Sequence, residues 1–561
     1  MRRPLVGAAW LAWSVAWAWT VGCGGPPRSV GPSAASPAVA ESRSPSSESE
    51  GPPAANDRRP LRQVSRGKLL EGALAVLDRL EEFDDERGRE LIFDRMNQWA
   101  RGGSIEAATG WRPDPLLQTL PTRLRATLAE GDLEADGFSA GDDVIYLRDQ
   151  RWLADIARHA RGDAVDDLQL ADNLFRWTVR SLAPVVDPPM VPTTENPGSR
   201  WFLPGEIVLV GRASAPQRAW IFLQLLRHAG IDGAMLATGD VEAGTLRPWI
   251  PAALIDGEAY LYEPNYGMPI PGPGGVGVAT VRQAAEDPSI LAALSLPDRP
   301  YPVEARELSR LTVLVAADPW SLSQRMAALD PSLRAAREMR VAVDASRLGG
   351  VAGSAVFEAE ARQDAAEASP IRLWDFPWET LARRRGDPST VTAALRPEVT
   401  PLEVPFVPAS PDRRRRQTVA RPLYAGRLRE FRGEWDGPEG AKAAYLAARA
   451  GRAAVSEATA ALPPEQAEAA RAMFAAMKED AAYWLGVLTL AEGEYDAAID
   501  YLGRMILQAA PDSRWCDAAR QNLARALIAA GRPAEAVAPL RADLSPQRFG
   551  SRWLADRLER E

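Results

Sequence analysis

The amino-acid sequence predicts an α+β protein of several domains that ends in an array of paired helices. Three observations carry that reading. The chain has 561 residues, and at roughly 100–200 residues per domain this is about three or four domains rather than one large core. A stripe of apolar residues at helical spacing near Gln217 is followed by short apolar segments separated by turn residues. From about Pro422 the pattern changes to alanine-rich helices in pairs.

Composition bounds the chemistry. Hydrophobic residues make up 46% and charged residues 25%, as in ordinary folded proteins. A net charge of −9 argues against a nucleic-acid partner. Of the 66 basic residues only Lys68, Lys442 and Lys478 are lysines, which leaves little room for lysine chemistry, since arginine does not deprotonate. His159, His228, Cys23 and Cys516 are all the histidines and cysteines of the chain. A metal site built from them is not expected, and nothing calls for a cofactor.

The chain opens with Arg2 and Arg3, an apolar run over 5–21 that includes Trp10, Trp13, Trp17 and Trp19, and then Gly22-Cys23. Residues 1–22 read as an export signal. Small residues followed by a lone cysteine resemble a bacterial lipoprotein signal, with Thr20 where such signals usually carry Leu. The resemblance implies lipid attachment at Cys23 and a membrane-anchored protein of the cell envelope, facing the periplasm or the exterior. An uncleaved anchor and plain secretion are the other two readings. Residues 23–62, dominated by Pro, Ser and Ala, read as a disordered tether.

Over 63–164 the apolar spacing predicts helices, with Leu70, Leu74, Leu77 and Leu80 on one stripe and Leu91, Ile92, Met96 and Trp99 on another. The acidic groups Glu81-Glu82 and Asp84-Asp85-Glu86 lack the spacing of a calcium loop and read as surface. A third stripe, Leu168 to Trp177, opens the segment 165–297. A Pro-rich crossing over 185–205 leads to a predicted strand at 207–210. Residues 211–217 then open a helix over 217–228, with Ser214 at its entrance and Pro216 in its first turn, which ends at Gly230; His228 is placed to favour its dipole. Strands are predicted at 235–237, 249–255 and 259–262, with Asp256-Gly257 as a hairpin turn.

The stretch Arg218-Ala-Trp220 through Gly230-Ile231, followed by Trp249 and by Tyr260-Leu-Tyr-Glu-Pro264, resembles the transglutaminase-like superfamily, whose fold is related to papain-like cysteine proteases. The resemblance implies a cysteine at the head of the helix, a His-Ala-Trp that supplies the base and an Asp-Pro that orients it. Those positions here read Ala215, Arg247 and Glu263. A thiol needs a neighbouring imidazole to ionise at neutral pH, and a guanidinium cannot accept a proton there. The domain is therefore expected to be degenerate and non-catalytic, with Arg247 and Glu263 facing each other as an ion pair or standing as two solvated charges. Two alternatives stay open. One is a hydrolase or transferase acting on peptide, glycan or amide substrates through Ser214 or Glu263. His228 lies a helix length away from Ser214, about 20 Å, and cannot serve as its base, which leaves His159 as the other imidazole. The second alternative is a cell-wall peptide or carbohydrate binding module that uses Trp249 and Tyr266.

Residues 298–420 read as a small α+β unit and linker, with a strand at 311–315, a helix after Pro319-Trp320 and extended segments at 339–343 and 356–359. The glycine-rich 272–277 reads as a loop rather than a phosphate cradle, and Arg413 to Arg416 as a solvated linker. Within 421–561, Trp484-Leu-Gly486, Gly493-Glu-Tyr495 and Ala498 recur as Asn522-Leu-Ala524, Gly531 and Ala536, a spacing of 38 between Gly493 and Gly531. This resembles the tetratricopeptide repeat. An earlier copy is suggested by Leu428, Gly433, Gly437 and 440–445, with Pro464 opening a helix to Met477. The resemblance implies a surface for a protein or peptide partner, or else a brace on the middle domains. The expectation is an exported binding or scaffold protein that is not an enzyme.

Overall fold

The computed structural model describes residues 58–80, 85–102, 110–127, 132–187, 200–357, 371–404 and 421–560. The signal, Cys23 and the tether up to 57, the acidic residues 81–84, most of the Pro-rich crossing, residues 358–359 and Arg413 to Arg416 lie outside them. Residues Arg58–Glu561 form one compact unit.

The long helix Ala215–Ala229 organises the middle of this unit. Ser214 is its N-cap and its backbone N–H donates to Gln217 Oε1 at 3.0 Å. Pro216 sits in the first turn, and Gly230 closes the helix at φ 90°. Three antiparallel strands follow, β3 (Asp232–Thr238), β4 (Arg247–Ile255) and β5 (Glu258–Glu263), after the two-residue pair β1 (Ala183–Pro184) and β2 (Arg212–Ala213). The β4–β5 turn is Asp256-Gly257, both residues at positive φ, which matches the right-handed twist of the flanking strands. The full sheet runs β6-β5-β4-β3-β7-β8, with β6 at Met268–Pro269, β7 at Thr312–Val315 and β8 at Ile371–Leu373.

The sheet is covered on both faces, which explains why its strands are almost wholly apolar. One face packs Met235, Ala253 and Tyr262 against Phe222, Leu223 and Leu226 of the Ala215–Ala229 helix, with Phe175 behind them. The other packs Leu236, Ile250, Leu261 and Val313 against Leu348 and Ala352 of the helix Ala345–Val356 and against Ile290, Leu291 and Tyr301. Gly349 and Gly353 let that helix approach Ile371 of β8 closely.

Three expectations are corrected here. Residues 207–210 are not a strand: Pro204–Val210 is a helix with Pro204 in its first turn, Glu206 bound to the Leu203 N–H, and Gly211 at φ 69° ending it. Residues 345–356 are helical rather than turning extended at 356, while 339–343 form no strand. The boundary at 297/298 runs through one sheet, because β7 pairs antiparallel with β3 and β8 parallel with β7.

The C-terminal part is a run of helices packed in pairs. Pro422–Arg432 pairs with Ala441–Ala448; Pro464–Glu492 with Tyr495–Ile499 and its π-helical continuation Asp500–Gln508; Cys516–Ala529 with Pro533–Arg541; and Arg548–Arg560 closes the series. Pro464 opens its helix as expected, but the helix runs past Met477 to Glu492. No helix of the described residues is long and apolar enough to cross a membrane.

Candidate functional site

The start of the Ala215–Ala229 helix and the end of β5 come together at one end of the sheet. Arg218, one turn into the helix, donates through Nη1 to Pro264 O at 3.1 Å, directly after Glu263. Ala215 stands half-buried in the first turn and offers no nucleophile. Ser214 beside it is fully buried, and the neighbouring group is a carboxyl, Asp187, not an imidazole. The Ser214 hydroxyl has no hydrogen-bond partner among the described residues, and loss of solvation raises the Asp187 pKa.

Glu263 and Arg247 do not face each other. Glu263 is 3% exposed at the end of β5, and it accepts hydrogen bonds from Tyr301 Oη (2.5 Å), Asn265 N (2.9 Å) and Asn265 Nδ2 (3.1 Å). Tyr301 in turn accepts from Trp249 Nε1 at 2.9 Å. Burial pushes the Glu263 carboxyl above its usual range against these bonds, and both burial and Glu263 push the Tyr301 phenol upward. Arg247 is exposed at the head of β4 and pairs loosely with Glu307 at 3.8 Å. The expectation of an Arg247–Glu263 pair is therefore corrected, as is that of a solvated Glu263.

Neither histidine reaches the helix entrance. His228 is buried at the far end of the helix, where its Nδ1 accepts from the Arg340 N–H (3.2 Å) and its Nε2 lies 3.1 Å from Gln150 Oε1. Burial, together with Arg227, Arg340 and Arg151, lowers its pKa well below the ordinary value. It is a neutral core residue, not a charge favouring the helix dipole. His159 packs against Trp435, and burial lowers its pKa as well. The aromatics expected to be exposed for carbohydrate are buried: Trp249 holds Tyr301, and Tyr266 donates to Leu294 O.

The repeat residues occupy positions that paired helices require. Gly486 faces Leu502 of the next helix at a distance no Cβ would allow, while Ala498 and Ala536 are fully buried. Gly493 at φ 82° and Gly531 at φ 75° end their helices, conformations that favour glycine. Tyr495 starts the partner helix. Trp484 packs edge-on against Tyr483 and Trp515 in the array core and also lies against Gly211, with the Arg427 guanidinium 3.6 Å above its ring.

Several groups that sequence reasoning missed tie the array to the middle of the unit. Arg218 is fully buried and donates to Leu182 O and, at 2.7 Å, to Gln547 Oε1. Gly550 lies on the backbone of Tyr266, and Trp553 Nε1 donates to Ala293 O at 2.7 Å. Glu398 is shared by Arg200, Arg212 and Arg514. Within the array, Asp480 takes the same Arg514 and the Trp515 indole N–H. A charged residue inside an otherwise apolar helix face, such as Arg218 beside Ala219 and Trp220, is the signal that pointed to them. A groove of about 450 Å³ is open between the repeat helices, lined among others by Asp496, Asp500, Arg504, Leu523, Arg532 and Glu535.

Comparison with known proteins agrees with the repeat geometry. No curated protein and no solved structure matches the chain. Residues 489–555 match the family model described as tetratricopeptide repeat, a match that runs from the last turn of Pro464–Glu492 into Arg548–Arg560. The matched residues 489–555 are tetratricopeptide-like repeats, and such repeats generally mediate protein–protein interaction.

Proposed function

We propose that this chain is an exported, lipid-anchored binding or scaffold protein, in which a degenerate transglutaminase-like core carries a repeat array that engages a protein or peptide partner. The observation that carries the non-catalytic reading is that the three family positions supply neither a nucleophile nor an imidazole and do not bond to one another. Ala215 has no nucleophile, Arg247 leans toward Glu307, and Glu263 is sealed beneath Tyr301. The helix followed by antiparallel strands, with Glu263-Pro264 brought beside the helix entrance through Arg218, supports the transglutaminase-like reading of the core. Because one side of the array is occupied by the chain's own middle region, the partner is assigned to the open groove around Asp500 and Leu523.

The test is a comparison of the full chain with Asp500→Arg and Leu523→Asp for in-cell cross-linking to a defined envelope protein. Loss of one reproducible cross-linked product in both variants, with folding unchanged, supports the reading; products that persist in both remove the groove from it. Anchoring is checked by membrane fractionation of Cys23→Ser, which is expected to release the protein.

A second reading, residual hydrolysis at Ser214, draws on the Asp187 carboxyl beside that hydroxyl. Amide and ester hydrolysis by the full chain that vanishes in Ser214→Ala would establish it in place of the scaffold reading.

A further inference from the structure

A large hollow lies between the segment around Trp111 and the helix Gln324–Arg337. Its volume is about 1040 Å³, at the upper end of the range for small-molecule sites. The walls are mainly apolar, formed by Trp111, Pro113, Leu322, Pro331, Ala335 and Val343. Trp111 is fixed by its indole N–H on Leu322 O at 3.2 Å, so the aromatic wall is preorganised.

The polar groups around this hollow divide by sign. Its carboxylates are engaged within the protein. Asp114 accepts from Leu116 N, Ser346 N and Ser346 Oγ. Asp330 accepts from Val341 N and Ala342 N and pairs with Arg334 at 2.8 Å. Asp344 caps the helix Ala345–Val356 through Arg347 N. The cations are less committed. Arg112 is exposed and makes no ion pair with any described residue. A second, smaller hollow of about 100 Å³ shares Arg334, Ala342, Val343 and Asp344 with the first, and it adds Arg227, Arg340 and Arg347. There Arg347 forks onto Asp232, with both contacts at 2.9 Å. Arg227 donates to Ala316 O at 3.0 Å and feels the buried Asp318. The Arg340 guanidinium has no ion pair among the described residues. What remains for a ligand is an apolar wall with guanidinium groups at its margin.

We propose that these adjoining hollows form a binding site for a small amphiphile with one anionic head, its apolar body against Trp111 and Pro331 and its head toward Arg340 or Arg112. An apolar body recovers the hydrophobic contribution of the groove, and an oxyanion supplies the acceptors that the unpaired guanidiniums lack. Carboxylate and phosphate heads share this chemistry. Neither the repeat groove nor the entrance of the Ala215–Ala229 helix takes part.

The experiment titrates the full chain calorimetrically with dodecanoate, dodecyl phosphate, dodecanol and dodecylammonium, each below its micelle concentration. Saturable one-to-one binding of the anionic probes is expected, with the cationic probe at least about tenfold weaker. The stronger of the two anions identifies the head group. Ala335→Trp, at an exposed position of the groove wall, should abolish binding by filling the hollow, and Arg340→Gln should weaken the anions about tenfold while leaving dodecanol unchanged. Equal binding of all four probes, binding that survives Ala335→Trp, or no binding by wild type would overturn the proposal. If Arg340→Gln fails to fold, Arg112→Gln at the exposed margin combined with Ala335→Trp decides it by the same criteria.

Discussion

The contact of Trp484 with Gly211 gives a quantitative test of whether the repeat array braces the middle of the unit. Gly211 ends the Pro204–Val210 helix at φ 69°, and a Cβ there would fall far inside contact distance of the Trp484 ring. Gly211→Ala should therefore cost about 1–2 kcal/mol for the left-handed backbone plus about 1–3 kcal/mol for overpacking against the indole. Trp484→Ala removes a side chain that is 1% exposed and should cost about 3–5 kcal/mol, including the face on which Arg427 rests. In the Trp484→Ala background the overpacking vanishes, and Gly211→Ala should cost only the backbone part, about 1–2 kcal/mol. The two substitutions are thus coupled by about 1–3 kcal/mol. A unit of this size need not unfold in one step, so the readout is segment-resolved hydrogen exchange over Pro204–Val210 and Pro422–Arg432. Additive effects, or loss of protection confined to the repeat helices, would refute the brace.

Three further outcomes concern titrating groups. Burial acts to raise the Glu398 pKa, but Arg212, Arg200 and Arg514 prevail and hold it below its usual value. Its stabilisation is therefore present above the unfolded value of about 4.3 and is lost as pH falls through the folded one. Glu398→Gln should cost about 3–5 kcal/mol at pH 7 and progressively less below pH ~4; equal losses at both pH values in urea melts would contradict this. Glu263 has the opposite sign. Its raised folded pKa means that wild type loses stability as pH climbs from about 4.3 through the folded value, so Glu263→Gln should flatten the melting-temperature profile between pH 4 and 8, and parallel profiles would count against it. For His228, whose folded pKa is lowered, ring resonances should show no titration near pH 6.5, and stability should fall as pH drops below about 6.5. A titration midpoint near 6.5 would show that the imidazole is not sealed.

What could be read from the sequence was local. The Ala215–Ala229 helix was legible because Ser214, Pro216 and Gly230 mark its ends, and the β4–β5 hairpin because Asp256-Gly257 admits one turn type. The repeat pairs were legible from glycine and alanine at fixed spacing. Non-local pairing was not legible. Nothing in residues 312–315 says that they will lie beside β3, and so a boundary was expected where the sheet continues. Trp249 and Tyr266 read as exposed because the residues that cover them, Tyr301, Leu294 and Gly550, are distant in the chain. The helix at 204–210 was missed because Ile207, Val208 and Val210 favour strands locally, while the proline and glycine that bracket them decide otherwise.

The Arg218–Gln547 hydrogen bond also sets an order of events during synthesis. The two residues are 329 positions apart, and at about 5–20 residues per second a ribosome needs tens of seconds to pass from one to the other. Until then the guanidinium in the central helix lacks one of its acceptors, and the Tyr266 turn lacks the helix that lies on it. A nascent chain stopped before residue 547 would leave a cation and the Tyr266 turn uncovered at one end of the sheet. Premature termination should therefore yield a product that proteases recognise as unfinished rather than a shortened working protein.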